Sequence, residues 1–225
     1  MQSVNTLLFD LDGTLVDSAP DIADAMDKVL GDLGIPAAGE ELARDWVGNG
    51  VRKLMERALA HGLPGAADDA LLERAVTLFM DEYGDRMSVR SRLFPGVREG
   101  LDRFLADGYR LGCVTNKPEA LSIRLMRELG LGEDQFPVVV GGDTTARKKP
   151  DPLPLRHAMN ALGSTPAETL LVGDSVNDVK AARGAGIDVV CVSYGYNHGS
   201  DIREAGADRV VDDFIELHRL LREAA

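Results

Sequence analysis

Six short apolar runs punctuate the chain, most of them stopping at once on a polar residue or a glycine. They are Thr6-Leu7-Leu8-Phe9 before Asp10, Leu111-Gly112-Cys113-Val114 before Thr115, and Val138-Val139-Val140 before Gly141. Further on come Leu170-Leu171-Val172 before Gly173-Asp174, then Val189-Val190-Cys191-Val192, and last Val210-Val211. Continuous runs of this length predict strands buried on both faces of a parallel sheet. Between them, residues 97–107, 118–129, 152–162, 178–185 and 213–224 repeat apolar side chains every three or four positions, which predicts helices with one buried face. Strand alternating with helix predicts an α/β fold, a doubly wound (Rossmann-like) parallel sheet. Such sheets bind ligands at the carboxyl ends of their strands. Asp10, Thr115 and Asp174 all fall there, so one crevice could collect the three.

Residues 19 to 87 break the rhythm. No strand pattern occurs, and the spacing predicts consecutive helices over roughly 20–33, 40–47, 51–61 and 69–84. Gly34, Gly48, Gly62 and Gly84 fall at or near their ends, where glycine suits a helix terminus. Pro20 and Asp21 suit the first turn of the first helix. The expected organisation is a core built from residues 1–16 and 88–225, with a small all-helical domain, 17–87, inserted after the first strand.

Composition narrows the partners. The 225 residues are 44% hydrophobic and 28% charged, ordinary for a globular chain. No apolar run approaches a membrane span, and no basic region precedes the first apolar run, so neither membrane nor export is expected and the cytoplasm is the expected location. Lys and Arg number 25 against 37 Asp and Glu, a net charge of −12, which argues against nucleic acid as a partner. An acidic protein that handles an anion must supply positive charge locally, and a metal ion is one way to do so. Cys113 and Cys191 sit inside apolar runs and read as buried, reduced thiols. The four histidines, His61, His157, His198 and His218, show no metal-ligand spacing.

The chemistry concentrates first in Phe9-Asp10-Leu11-Asp12-Gly13-Thr14-Leu15-Val16-Asp17-Ser18. Two carboxylates two residues apart at a buried strand end raise one another's proton affinity unless a cation intervenes. Gly13 permits a sharp turn that swings Asp12 back toward Asp10. A bare Asp-Xaa-Asp-Gly is more often a solvated turn, and the preceding buried strand weakens that reading.

Asp10-Leu11-Asp12-Gly13-Thr14-Leu15 resembles the first motif of the haloacid dehalogenase superfamily of aspartate-nucleophile phosphotransferases. Val114-Thr115-Asn116-Lys117 resembles the second, Lys148-Lys149-Pro150-Asp151-Pro152 the third, and Gly173-Asp174-Ser175-Val176-Asn177-Asp178 the fourth. The resemblance implies Asp10 as nucleophile and Asp12 as general acid and base. It implies Mg²⁺ held by the Asp10 carboxylate, the Asp12 backbone carbonyl and the Asp174 side chain. Thr115 would bind phosphate by its hydroxyl, Asn116 would contact substrate, and a helix starting at Pro118 would aim its N-terminus at the phosphate. Lys149, rather than Lys148, would neutralise the phosphoryl group. Asp178 reads as a carboxylate behind the metal ligands rather than a ligand.

The helical insertion resembles a cap that closes over the site. Val47-Gly48-Asn49-Gly50, Ser91-Arg92-Leu93-Phe94-Pro95-Gly96-Val97 and Tyr194-Gly195-Tyr196-Asn197-His198-Gly199 resemble the phosphoglycolate phosphatases, which implies a small phosphorylated metabolite as substrate. Gly48 and Gly50 would offer free amides to its carboxylate, helped by Arg52 or Lys53, although a turn with two solvated cations fits the same residues. Rival readings are another sugar-phosphate phosphatase, a β-phosphoglucomutase-like phosphotransferase, and a non-enzymatic receiver module. Asp12 speaks against a dehalogenase, and the chain length with its helical insertion speaks against a receiver.

Overall fold

The computed structural model describes residues 4–224. Its main sheet is six-stranded and parallel, in the order β5-β4-β1-β6-β7-β8. The strands are β1 (Thr6–Phe9), β4 (Arg110–Val114), β5 (Val138–Val140), β6 (Thr169–Gly173), β7 (Asp188–Val192) and β8 (Arg209–Val211). β1 lies in the interior, with Leu7 paired to Leu111 on one side and to Leu170 on the other. Alternation along the strand sends Leu7 and Phe9 to one face and Leu8 to the other. On the first face, α5 (Val97–Ala106) and α9 (Phe214–Ala224) bring Phe104 and Phe214 against Phe9, ring centroids 6.1 and 5.5 Å away. On the second, α7 (Leu153–Leu162) and α8 (Val176–Ala185) cover Leu8 and Leu171 with Leu155, Ala158 and Ala182. α6 (Glu119–Glu128) follows β4.

Helix bounds differ from the sequence reading by up to two residues, and two helix starts bear on the site. α8 starts at Val176, two residues earlier than expected, because Ser175 and Asp178 form a capping box that satisfies the first amides reciprocally. α6 starts at Glu119, leaving Pro118 just outside it.

Four helices follow β1: α1 (Ala19–Asp32), α2 (Glu40–Trp46), α3 (Val51–Gly62) and α4 (Asp69–Arg86). They bury Ile22, Met26, Leu30, Leu54, Leu59, Phe79 and Tyr83 in an apolar cluster continuous with the Phe9 face of the sheet. Chain entry and exit are joined by a two-residue antiparallel ribbon, β2 (Val16–Asp17) with β3 (Arg92–Leu93). No pattern foretold it, since two residues have no period. Among the described residues, no helix is long and apolar enough to cross a membrane.

Candidate active site

The turn after β1 is drawn tight by the amides of Thr14, Leu15 and Val16, which donate to the Leu11 carbonyl at 3.3, 3.0 and 2.9 Å. Gly13 makes it possible: φ is +91°, and a Cβ there would lie 2.3 Å from a carboxylate oxygen of Asp174. Gly195, in the loop after β7, is pressed as hard, its Cβ position lying 2.2 Å from Asp174 Cβ. Between these two backbone segments Asp174 is fixed. Thr14 Oγ1 donates to its Oδ1 at 2.7 Å, and the Tyr196 amide donates to its Oδ2 at 2.6 Å.

Asp10 extends the sheet ladder one residue past β1, its amide donating to Val172 O at 2.9 Å. Its Oδ1 accepts from the Leu11 amide at 2.7 Å and faces Lys149 Nζ at 3.0 Å. Lys149, only 2% exposed, also donates to Val114 O at 2.6 Å and to Asp178 Oδ1 at 2.7 Å. The other Asp178 oxygen accepts from the Ser175 hydroxyl at 2.7 Å and the Ser175 amide at 3.1 Å. Capping α8 and orienting Lys149 are thus one carboxylate's two tasks.

Asp10, Asp174 and Asp178 each place a carboxylate oxygen within 4.8 Å of the others'. One lysine stands against three buried acids. Burial, opposed by Lys149, pushes the Asp10 carboxyl up to about 6. Burial, reinforced by Asp10 and Asp178, raises Asp174 well above its ordinary value. Burial works against the Lys149 charge too, but the Asp10 and Asp178 carboxylates outweigh it and hold the ammonium above its usual range. Crowded negative charge on hard oxygen donors, with no nitrogen or sulfur among them, fits a small divalent cation such as Mg²⁺.

The Asp12 carboxylate accepts from Lys117 Nζ at 3.0 and 3.1 Å and from the Ser18 hydroxyl at 2.6 Å, and it lines the same cavity as Asp10. The third carboxylate beside Asp10 and Asp174 is that of Asp178, which leaves Asp12 only its backbone carbonyl for a metal. Lys117 is 7% exposed and lies over the Tyr83 ring, 4.4 Å from its centroid. Tyr83 Oη is buried with no hydrogen-bond partner, and burial pushes this hydroxyl up to about 12, so it stays protonated. Sequence reasoning assigned no role to Lys117 or Tyr83. The signals were faint: Lys117 ends the motif around Thr115, and Tyr83 follows Phe79 by four residues on what reads as a core face of α4.

The remaining candidates divide. Thr115 and Asn116 are buried at the end of β4. Asn116 Nδ2 donates to Gly48 O at 2.8 Å and Lys149 O at 2.9 Å, while its Oδ1 has no partner. Gly48 and Gly50 take φ of +106° and +84° and bring the turn between α2 and α3 onto the site. Asn49 between them accepts from Lys148 Nζ at its carbonyl (2.6 Å) and from Asn177 Nδ2 at its Oδ1 (3.2 Å), and its Nδ2 meets His198 Nε2 at 3.0 Å. Lys148 is therefore occupied at this turn and Lys149 at the acids. Arg52 is placed elsewhere: it is exposed and paired with Glu73 and Asp69 because its helical position faces α4 at the surface. Lys53 pairs with Glu56. At the start of α6 the Glu119 amide donates to Asp143 Oδ1 at 2.8 Å. Cys113 and Cys191 are buried free thiols.

A cavity of about 40 Å³ joins these parts. Asp10, Asp12, Thr115, Asn116 and Lys117 form its polar end, and Ile22, Val47, Val51, Leu54, Phe79, Tyr83 and Leu121 its apolar walls. A single water needs roughly 10–15 Å³ by this measure, so the cavity suits a ligand of few heavy atoms.

Known proteins share this arrangement. Residues 7–192 match the family described as haloacid dehalogenase-like hydrolase. A phosphoglycolate phosphatase from Nitrosococcus oceani is 48% identical over 219 residues, 97% of each chain. One from Nitrosospira multiformis is 44% identical over 222 residues, covering 99% of this chain and 97% of its own. The crystal structure of a predicted phosphoglycolate phosphatase from Haemophilus somnus superposes with a TM-score of 0.93 at 34% identity, covering 98% of this chain and 99% of that one. With its four motifs gathered at one end of a parallel sheet, the chain belongs to the haloacid dehalogenase-like hydrolases.

Proposed function

We propose that this hydrolase cleaves a small phosphate monoester, 2-phosphoglycolate, to glycolate and phosphate through a phospho-aspartate on Asp10. The observation that carries the reading is one cavity floor shared by two carboxylates in different settings, Asp10 beside Lys149 and Asp12 beside Lys117. Near-full-length likeness to proteins named phosphoglycolate phosphatase supports the substrate.

In the first step a carboxylate oxygen of Asp10 attacks phosphorus while the ester oxygen leaves, and Asp12 gives that oxygen a proton. In the second, Asp12 takes a proton from water, whose oxygen attacks phosphorus and frees Asp10. Lys149, 3.0 Å from Asp10 Oδ1, neutralises charge on the transferring group, and the Thr115 hydroxyl donates to it. Asp10, Asp174 and the Asp12 backbone carbonyl would hold Mg²⁺, with Asp178 behind them, and the ion would supply further charge neutralisation. Residues 17–87 act as a cap that keeps bulk water from the intermediate.

A screen of phosphate release across 2-phosphoglycolate, hexose phosphates, amino-sugar phosphates and nucleotides tests the reading. The highest kcat/KM is expected for 2-phosphoglycolate. Preference for a hexose phosphate sinks the substrate assignment, and sugar-phosphate isomerisation without phosphate release moves the chain to the mutases.

A further inference from the structure

The cavity holds a charge the hydrolytic steps above leave unused. Of the residues lining it, Lys117 is the one cation. Arg52 and Lys53 point to solvent and are paired there, and Lys148 is bound to the Asn49 carbonyl. Lys149 lies below, bound to Val114 O, Asp178 and Asp10. A ligand with a second anionic group, besides the phosphate, therefore meets a single lining cation, one that it shares with Asp12.

That partner has a neutral companion. Tyr83 Oη is buried on the same wall without a hydrogen-bond partner, and the Tyr83 ring lies under the Lys117 ammonium. A buried hydroxyl left unpaired costs stability unless something else receives its proton. An ammonium and a hydroxyl donor side by side, at the edge of the cavity wall that Ile22, Leu54 and Phe79 continue, form a receptor for a carboxylate.

The spacing sets where on the substrate that carboxylate stands. Lys117 Nζ lies 3.0 and 3.1 Å from the two oxygens of Asp12, the group that must reach the ester oxygen. An anion seated on Lys117 is thus held within a few bonds of the ester oxygen. One intervening carbon satisfies this, and a longer arm carries the charge past the receptor.

We propose that Lys117, with the Tyr83 hydroxyl beside it, is the specificity determinant that selects phosphate monoesters bearing a carboxylate on the carbon next to the ester oxygen. The inference rests on the 2-phosphoglycolate reading and assigns the recognition of its carboxylate to core residue Lys117 and α4 residue Tyr83, not to the turn at Gly48-Asn49-Gly50. The loss of a charge-assisted contact in a dry site is worth at least about tenfold in discrimination.

The test compares 2-phosphoglycolate with ethyl phosphate, its near-isostere without the carboxylate, on the intact Mg²⁺-loaded enzyme. The readout is the ratio of the two kcat/KM values in wild type, Lys117→Met, Lys117→Arg and Tyr83→Phe. A ratio that falls at least tenfold in Lys117→Met, falls by less in Tyr83→Phe and is partly restored in Lys117→Arg supports the assignment. A ratio unchanged in Lys117→Met, both substrates slowing alike, overturns it and leaves Lys117 as a positioning residue for Asp12. Absence of any wild-type preference for 2-phosphoglycolate overturns the substrate reading itself, which the variants then have no part in deciding. If Lys117→Met is too slow to assay, calorimetry with 3-phosphonopropionate and propylphosphonate reads the same discrimination as binding: selective loss for the carboxylate-bearing probe supports the proposal, and equal loss overturns it.

Discussion

Asp10 and Asp12 are two residues apart and have unlike neighbours. Lys149 serves the first and Lys117 with Ser18 the second, so each can be removed with a distinct result. Asp10→Asn deletes the attacking oxygen, and phosphate release is expected to fall to background. Asp12→Asn keeps the attack but loses proton transfer, and kcat is expected to drop by roughly 10²–10⁴-fold while circular dichroism stays native. A normal rate from either variant removes the role given to that residue. The crowding of Asp10, Asp174 and Asp178 makes a second prediction. If that cluster holds Mg²⁺ in the folded chain alone, the ion at 100 times its Kd should add about 2.7 kcal/mol of stability. Differential scanning calorimetry should show that gain in wild type and its loss in Asp174→Asn, and excess chelator should stop phosphate release. At this scale the sequence made legible the placement of Asp10, Thr115 and Asp174, each just past or at the end of a parallel strand. Lys117 and Tyr83 were not legible, because their pairing arises only when α4 packs over the loop after β4.

Among the elements, the strands and helices were readable to within about two residues, because each carries a full period of apolar positions. What escaped are the pieces that are too short for a period or are held by side chains. The β2–β3 ribbon is one, and the Asp21 clamp is another. Asp21 reads as a helix-dipole residue at the start of α1, yet it is 3% exposed. Its carboxylate accepts from the Arg90 amide at 2.9 and 3.0 Å and from the Ser91 amide and hydroxyl, both at 2.7 Å. The start of the helical layer is thereby tied to the segment that returns from it. Asp21→Ala strands two buried donors and one half-buried one, and urea unfolding should show a loss of about 3 kcal/mol. A change within 0.5 kcal/mol in the same measurement would mean that water replaces the carboxylate (about the size of a neutral surface substitution).

Across the whole molecule, the helical layer meets the core's polar rim largely through one turn. Gly48 O and Asn49 are bound by Asn116, Asn177, Lys148 and His198, residues drawn from four separate core segments. His198 takes the left-handed conformation, φ 51°, to complete the set. Asn49→Ala removes two of these links, those to Asn177 and His198, and should loosen the layer without unfolding it. Faster hydrogen exchange across residues 40–62 with an unchanged melting temperature is the expected result; unchanged exchange would show that apolar packing alone holds the two parts together.

The position of β1 has a consequence for biosynthesis. This interior strand precedes both of its partners in the chain, which begin at Arg110 and Thr169. While the ribosome is still translating the middle of the message, Leu7, Leu8 and Phe9 have no sheet to join, and the local helices α1–α4 are the parts able to form early. A nascent chain arrested before residue 110 therefore carries β1 with neither neighbour made, an apolar strand open to aggregation.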